Sequence, residues 1–156
     1  MNLITRRSFL RQSALAAGAM ALVSGTRSSA KVIGANDRLR IAVAGCNGRG
    51  RSHISGWLEQ PNVEIAYLID PDKKVLDGAL ASLQKKVAGK YTCKGVADVR
   101  RTLEDPTVDA ISIATPNHWH SLMTIWAAEA GKHVYVEKPI SHDVVEGRVV
   151  VEAQKK

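Results

Sequence analysis

The sequence predicts an α/β fold in which helices cover both faces of a doubly wound, parallel β-sheet. From residue 39 onward, short apolar runs of strand length alternate with segments that have the periodicity of amphipathic helices. The run over residues 108–114 is almost continuously apolar, as expected for an inner strand covered on both faces. A glycine-rich turn follows the first strand, and polar clusters follow later ones. These features place the functional groups at the carboxyl-terminal edge of the sheet.

Length and charge restrict the alternatives. A chain of 156 residues is long enough for one domain with a substantial core and too short for two comfortable ones. The formal net charge is +7, but four of the 22 basic residues lie in the first 30 residues, which contain no acidic residue. The other 18 basic residues are dispersed among 15 acidic ones, a net charge of +3. We therefore expect no nucleic-acid partner.

The first thirty residues predict an export signal. Arg6 and Arg7 precede a mild apolar run over residues 14–23, and small residues at 28–30 suit cleavage by a signal peptidase. This looks like a twin-arginine signal, so we expect the twin-arginine export machinery as a partner and a periplasmic or otherwise exported protein. The apolar run is about half of the roughly 20 residues that a membrane span needs, so we expect no permanent span. The alternative to an export signal is that these thirty residues form a disordered basic tail. Residues 31–37 are expected to form a short polar segment that leads into the folded domain.

The first strand, Leu39–Ala44, leads into the turn GCNGRG at residues 45–50 and a helix predicted over residues 51–60. In a dinucleotide site, the first glycine allows a tight turn, a bare backbone admits the pyrophosphate, and the last glycine lets helix and strand pack closely. The helix N-terminus offers N–H groups to the phosphates. Asn47 stands at the middle glycine position, and we expect it to tolerate a left-handed backbone. The unit is typical of a Rossmann-type fold, although a glycine turn without a ligand is an alternative.

A second apolar run, Val63–Ile69, predicts strand two and ends at Asp70, 20 residues after Gly50. A carboxylate at this position can accept hydrogen bonds from an adenosine ribose. Its negative charge would also repel a 2′-phosphate. The spacing therefore predicts NAD as the cofactor in preference to NADP.

A helix is expected to begin at residues 70–72, with Pro71 in an early helical position and Asp72 near the positive end of the dipole. It continues to about Val87 and stops near Gly89. The next predicted elements are a strand over residues 91–94, a helix over 98–104, a strand over 108–114, a helix over 120–130, a strand over 133–137 and a helix over 143–155.

Polar clusters follow four of these strands. The carboxyl ends of parallel strands meet at one edge of a sheet, where α/β proteins bind their ligands. We therefore expect the clusters to converge. They are the turn after residue 44, Asp70, the segment TPNHWH at residues 115–120 and the segment EKP at residues 137–139.

The motifs at the ends of the predicted strands resemble those of a known protein family. The glycine turn, Asp70, ATPNHWH at residues 114–120, AGKHVYV at 130–136 and EKP at 137–139 together resemble the N-terminal half of the glucose-fructose oxidoreductase/inositol dehydrogenase (Gfo/Idh/MocA) family. The resemblance covers residues 38–156, and its threonine-proline-asparagine and glutamate-lysine-proline motifs are specific at that separation. It implies an NAD(P)-binding Rossmann domain and NAD(P)-dependent hydride transfer on sugars, cyclitols or their derivatives.

By the same resemblance, Lys138 would stand beside the nicotinamide and the substrate hydroxyl as the catalytic residue, where it could pass a proton while hydride moves. Pro139 would hold a tight, cis turn, and Pro116 with Asn117 would line the nicotinamide side. The candidate cofactor-binding residues are Gly45, Asn47, Gly48, Arg49, Gly50, Asp70, Thr115, Pro116, Asn117, His120, Glu137 and Lys138.

The resemblance also implies what this chain does not contain. Family members continue into a second domain that carries substrate contacts, so we expect a fragment or a truncated reading frame. A nucleotide-binding sensor or scaffold without turnover is therefore the main alternative, and the late glutamate-lysine-proline turn disfavours a methyltransferase. The sugar, the direction of reaction and the oligomeric state stay open, with a homo-oligomer of the full-length protein as one alternative.

No metal site is expected. His118 and His120 are separated by one residue and lack a nearby carboxylate or cysteine, which makes them weak ligands. Cys46 and Cys93 form no metal-binding spacing and suggest no disulfide framework.

Overall fold

The computed structural model describes residues 38–155; the predicted signal at residues 1–30 and the polar lead at 31–37 lie outside that range. Within it, no helix is long and apolar enough to cross a membrane. The strands are β1 (Leu39–Ala44), β2 (Val63–Ile69), β3 (Lys94–Val96), β4 (Ala110–Ile113) and β5 (His133–Val136). The helices are α1 (Arg49–Leu58), α2 (Lys73–Val87), α3 (Arg100–Leu103), α4 (His120–Glu129) and α5 (Val144–Gln154), with a 3₁₀ turn at Asn117–Trp119.

The five strands form one parallel sheet in the order β3-β2-β1-β4-β5. This confirms the doubly wound α/β prediction. The chain first steps outward from β1 through β2 to β3 and then returns to the other side of β1 with β4. The order reverses at β1, so the crevice beyond the carboxyl ends of β1 and β4 is the place where such folds bind ligands.

The central strand β1 is buried on both faces because its side chains alternate between two apolar clusters. Ile41 and Val43 pack with residues of α1 and α2 on one face. Ala42 and Ala44 pack with residues of β4 and α4 on the other. This double cover holds the ends of β1 and β4 rigidly, and the site is built on those ends.

Most elements after β2, and helix α1, differ from their predicted bounds by one to three residues, and two of these differences change how the chain is read. Helix α2 has Asp72 as its N-cap, whose carboxylate accepts hydrogen bonds from the N–H groups of Lys74 and Val75, so Pro71 lies before the helix and not within it. Strand β3 occupies residues 94–96 instead of 91–94. The buried side chain of Cys93 packs in the core from the loop before this strand.

Candidate functional site

The turn between β1 and α1 requires glycine at two positions. A Cβ atom added to Gly50 would lie 1.8 Å from the carbonyl oxygen of Gly45, so a side chain would push α1 away from β1. Gly45 has a φ of +83°, and its added Cβ would lie 2.7 Å from the carbonyl oxygen of Ala114. These are the close helix–strand contact and the tight turn expected from the last and first glycines.

Gly48 leaves the outer face of this turn open. It has a φ of +45°, and no atom lies within 4 Å of an added Cβ. It is the N-cap of α1, where no side chain caps the helix and no acidic residue occupies the first turn. An anion can therefore approach the positive end of this ten-residue helix.

Asn47 does not adopt a left-handed backbone, so its expected tolerance of that conformation is not needed here. Among the described residues, only Asn62 and Ala88 combine a side chain with a positive φ. The Oδ1 atom of Asn47 instead accepts a hydrogen bond from the Gly48 N–H at 2.9 Å. The left-handed conformation falls on the next residue, Gly48, which adopts it without a steric cost.

Asp70 lies beside the glycine turn, as its position after β2 predicted. Its Oδ2 atom accepts a hydrogen bond from the Cys46 N–H at 2.9 Å, and its Oδ1 atom accepts one from the Asp72 N–H at 3.0 Å. Each carboxylate oxygen can accept more than one hydrogen bond. The half-buried carboxylate is thus oriented by the backbone and keeps capacity for ligand hydroxyls.

A cleft of about 500 Å³ opens at the ends of β4 and β5. Its lining residues are Arg49, Ala114, Thr115, Asn117, His120, Glu137 and Lys138. The Oγ1 atom of Thr115 is buried and has no hydrogen-bond partner among the described residues. A buried hydroxyl without a partner is costly, and a polar ligand in the cleft would satisfy it.

The turn that carries Lys138 is fastened to the end of β4 by His120. The Lys138–Pro139 peptide bond is cis, which confirms the expected cis turn. The buried imidazole of His120 lies between two backbone carbonyls, with Nδ1 2.7 Å from the Pro139 oxygen and Nε2 2.8 Å from the Thr115 oxygen. His120 therefore joins the two loops that form the cleft walls. The Lys138 side chain is exposed at the cleft.

Pro116 and Asn117 lie in the first of these loops, which connects β4 to α4. Pro116 precedes the 3₁₀ turn and accepts the Trp119 N–H at its carbonyl oxygen, at 3.0 Å. Both residues are exposed, and Asn117 lines the cleft. Their position between β4 and α4 is the one that the sequence pattern predicted.

Glu137 connects the two sides of the site. Its Oε1 atom accepts hydrogen bonds from His53 Nε2 at 3.0 Å and from Arg49 Nε at 2.5 Å. These two hydrogen bonds lower the pKa of the Glu137 carboxyl to about 2. Arg49 is the first residue of α1, and Glu137 immediately precedes Lys138. The Arg49–Glu137 ion pair thus connects the glycine turn to the turn that carries Lys138.

The sequence reasoning missed His53 and Ser112. His53 Nδ1 lies 2.9 Å from Ser112 Oγ, and the indole N–H of Trp57 donates to the same oxygen at 2.9 Å. A signal was available: Ser112 interrupts the apolar run of β4, and His53 and Trp57 lie four positions apart, on one face of a helix. A hydroxyl in a buried strand needs partners, and these two residues supply them.

The remaining polar candidates do not form a site of their own. Burial raises the pKa of the Cys46 and Cys93 thiols to about 12, which leaves them unreactive. Within residues 38–155 no group of three or more His, Cys, Asp and Glu side chains is arranged to hold a metal. A larger groove of about 660 Å³ runs between α1 and α2, and it reaches the glycine turn only at Cys46.

The arrangement fits a dinucleotide. The open face of Gly48 and the uncapped helix N-terminus suit a pyrophosphate, and Asp70 at the adjacent strand end suits a ribose diol. The cleft with the unpartnered Thr115 hydroxyl suits the polar carboxamide end of a nicotinamide. All three parts lie along the carboxyl-terminal edge of β2, β1, β4 and β5.

Comparison with known proteins agrees with this reading. Residues 39–156 match the family described as GFO_IDH_MocA, an oxidoreductase family with an NAD-binding Rossmann fold. Levoglucosan dehydrogenase of Pseudarthrobacter phenanthrenivorans is 30% identical over 118 residues, which cover 75% of this chain and 30% of that protein. A glycosyl hydrolase family 109 protein of Shewanella baltica is 30% identical over 175 residues, which cover 100% of this chain and 38% of that protein.

Among solved structures, the WlbA dehydrogenase of Chromobacterium violaceum, in complex with NADH and UDP-GlcNAcA, is similar with a TM-score of 0.67 and 26% identity. The similarity covers 78% of this chain and 33% of that one. The chain thus spans about a third of the length of the proteins it matches.

Proposed function

The chain belongs to the GFO_IDH_MocA family of oxidoreductases with an NAD-binding Rossmann fold, and we propose that it is the cofactor-binding part of an NAD-dependent oxidoreductase. The proposed reaction is hydride transfer to or from sugars, cyclitols or their derivatives. Support for this substrate class comes from the relatives, one of which is a levoglucosan dehydrogenase and another of which was crystallised with a UDP-sugar.

One structural observation carries the proposal. Arg49, which follows Gly48 in the glycine turn, and Lys138 line the same cleft, and the Arg49–Glu137 ion pair connects the two turns. A dinucleotide would contact both the glycine turn and the Lys138 turn, because its diphosphate and its nicotinamide are recognised separately. A glycine turn that binds no ligand would not require a cleft beside Lys138.

Different residues of the site would bind different parts of the cofactor and the substrate. The N–H groups at the N-terminus of α1 would bind the diphosphate, and Asp70 would accept the adenosine ribose hydroxyls. Bound NAD supplies a hydride acceptor. The exposed ammonium of Lys138 would orient the reacting hydroxyl and hold or release its proton. Thr115 and Asn117 would fix the nicotinamide side of the cleft.

A second candidate function is hydrolysis of a glycosidic bond. It is favoured by the alignment with the glycosyl hydrolase family 109 protein, which extends over the whole chain and not only over residues 39–156. The two functions differ in their products. A dehydrogenase forms one NADH for each sugar oxidised, whereas a hydrolase releases the group attached to the sugar with no net change of NADH.

Export by the twin-arginine route, to the periplasm or beyond, is also part of the proposal. It rests on Arg6 and Arg7, the apolar run over residues 14–23 and the small residues before Lys31. This route carries folded proteins, so a cofactor bound in the cytoplasm would be exported together with the protein.

Turnover is tested with the longest open reading frame that contains this chain. The protein is incubated with NAD and a panel of sugars, cyclitols and aryl glycosides, and NADH absorbance and aryl release are followed together. NADH formation with a free sugar supports the oxidoreductase. Aryl release at constant NADH supports the hydrolase. NADH binding without either reaction supports a sensor or scaffold and contradicts both enzymatic proposals.

A further inference from the structure

Glu137 is a carboxylate in an enclosed place, with a side chain only 14% exposed. Such a group needs hydrogen-bond donors, because burying an unpaired charge is costly. It has two side-chain donors, Arg49 and His53, and they differ in a decisive way. The Arg49 side chain is 64% exposed, whereas that of His53 is 4% exposed.

Arg49 is a partner that Glu137 can lose. Its side chain is exposed, so water can replace the contact with Glu137, and a guanidinium can also form bidentate hydrogen bonds with phosphate. Arg49 begins α1, where a dinucleotide's diphosphate would lie. If Arg49 turns to the diphosphate, His53 is the remaining side-chain donor to Glu137.

The His53 ring has a polar partner at each of its two nitrogens. The ionised Glu137 carboxylate only accepts, so His53 Nε2 carries the proton and donates it. Nδ1 lies 2.9 Å from the Ser112 hydroxyl oxygen, which also accepts the Trp57 N–H. Both ring nitrogens thus have a hydrogen-bond partner, which fixes the direction in which the imidazole points.

Aromatic packing fixes the ring as well. Tyr135, on β5 just before Glu137, lies edge-on to His53 with 5.4 Å between ring centroids and edge-on to Trp57 at 5.8 Å. The imidazole is thus held by α1, β4 and β5 together. It is a more rigid donor than a long exposed side chain.

We propose that His53 is a positioning residue, which holds the Glu137 carboxylate and through it the Lys138 turn in the cofactor-binding arrangement after Arg49 has moved to the diphosphate. This inference rests on the proposed function, because it concerns the same cofactor site. His53 acts through Glu137 and does not itself touch the cofactor.

Two substitutions, each of which keeps a polar group near one of the two ring nitrogens, test the inference. His53→Gln places an amide N–H donor near the position of Nε2 and keeps a donor toward Glu137. His53→Asn places its polar group near Nδ1, so it keeps the Ser112 contact and leaves Glu137 without its inner donor. His133→Asn is the matched control, since His133 is an exposed histidine at the opposite end of β5.

The affinity of the full chain for NADH is measured by fluorescence titration, and folding is checked by thermal melting. We expect His53→Asn to weaken NADH binding by about tenfold or more, as loss of a hydrogen bond to a charged group implies. His53→Gln should stay within about threefold of the unmodified chain, and His133→Asn should not differ from it.

Equal affinities of folded His53→Asn and His53→Gln variants would overturn the inference while leaving the proposed function intact. Absence of saturable NADH binding by the folded, unmodified chain would overturn both. If His53→Asn does not fold, Glu137→Gln replaces it, and retention of full NADH affinity in that variant would equally overturn the inference.

Discussion

The Asp70 carboxylate accepts a hydrogen bond from the backbone N–H of Cys46, so the end of β2 holds the glycine turn after β1. One residue thereby has two tasks. It orients the turn at which a diphosphate would bind, and it places a negative charge where the adenosine ribose would lie. The two tasks can be separated by substitution.

We predict that Asp70→Asn relaxes the preference for NAD over NADP while keeping the turn. The amide oxygen can still accept the Cys46 N–H, but the charge that repels a 2′-phosphate is gone. Asp70→Ala should relax the preference too and should weaken NAD binding further, because the turn loses its acceptor. Isothermal titration calorimetry of both cofactors with the three proteins measures this. Tighter binding of NADP than NAD to the unmodified chain would reject the role of Asp70.

Gly50→Ala is predicted to destabilise the domain by about 1–3 kcal/mol or more and to weaken NADH binding, because the new methyl group would lie 1.8 Å from the Gly45 oxygen. Gly56→Ala is the matched control in the same helix, with no atom within 4 Å of the new methyl group. It should stabilise α1 by up to about 1 kcal/mol. Urea denaturation measures both. Equal stability of the two variants would contradict the close contact between α1 and β1.

The stability of the domain should depend on the ionisation of Glu137. Its pKa is lowered from 4.5 to about 2 by His53 and Arg49, so the folded state binds its proton less readily than the unfolded state does. The resulting stabilisation is complete above about pH 5 and is lost as the pH falls toward 2. Glu137→Gln should therefore lose less stability than the unmodified chain between pH 6 and pH 3.

Denaturant titrations at the two pH values test this. Asp98 and Asp105 also have pKa values lowered to about 2, but they are present in both proteins and their contributions cancel in the comparison. An identical pH dependence of the two free energies of unfolding would show that Glu137 is not held as the structure indicates.

Lys138→Ala should reduce kcat by the 10²- to 10⁴-fold that is typical of acid–base groups, with a much smaller change in cofactor affinity. Lys138→Arg should rescue poorly, since a guanidinium keeps the charge but does not readily release a proton. Steady-state kinetics, the NAD dissociation constant and the melting temperature are measured in the longest open reading frame. If Lys138 only holds the turn, stability falls while turnover stays normal.

The mature protein is predicted to begin near Lys31 after folded export. Replacing Arg6 and Arg7 with lysine should retain the protein in the cytoplasm, because the twin-arginine machinery recognises the paired guanidinium groups. Intact-mass measurement of periplasmic material gives the cleavage position. Recovery of periplasmic protein that keeps residues 1–30, or export unaffected by the two substitutions, would contradict the signal.

The sequence predicted β1 and β2 with their observed bounds because both are apolar runs that end at chemically distinct residues, Gly45 and Asp70. It misplaced β3 because that strand has no such signal. Gly95 lies in its middle, where strand propensity disfavours glycine, and the space above it is filled by the side chains of Leu76 and Leu80 from α2. The position of β3 is therefore determined by tertiary packing and not by local sequence propensity.

Part of the site also depends on tertiary contacts that the sequence alone does not reveal. The residues of the glycine turn and Lys138 follow strands directly, so their convergence could be read from the topology alone. The pairing of Glu137 with Arg49 and His53 joins residues 88 and 84 positions apart, and no local pattern encodes it. Only the fold brings α1 against the end of β5.

Hydrogen exchange measured by mass spectrometry, with and without saturating NAD, tests most directly that the two turns form one cofactor site. We predict slower exchange in peptides that contain residues 45–50 and in peptides that contain residues 137–139, with no change in α5. Protection of both turns by the same ligand would place the diphosphate and the nicotinamide as proposed. Unchanged exchange in both turns at saturating NAD, in a chain that is folded, would contradict the account.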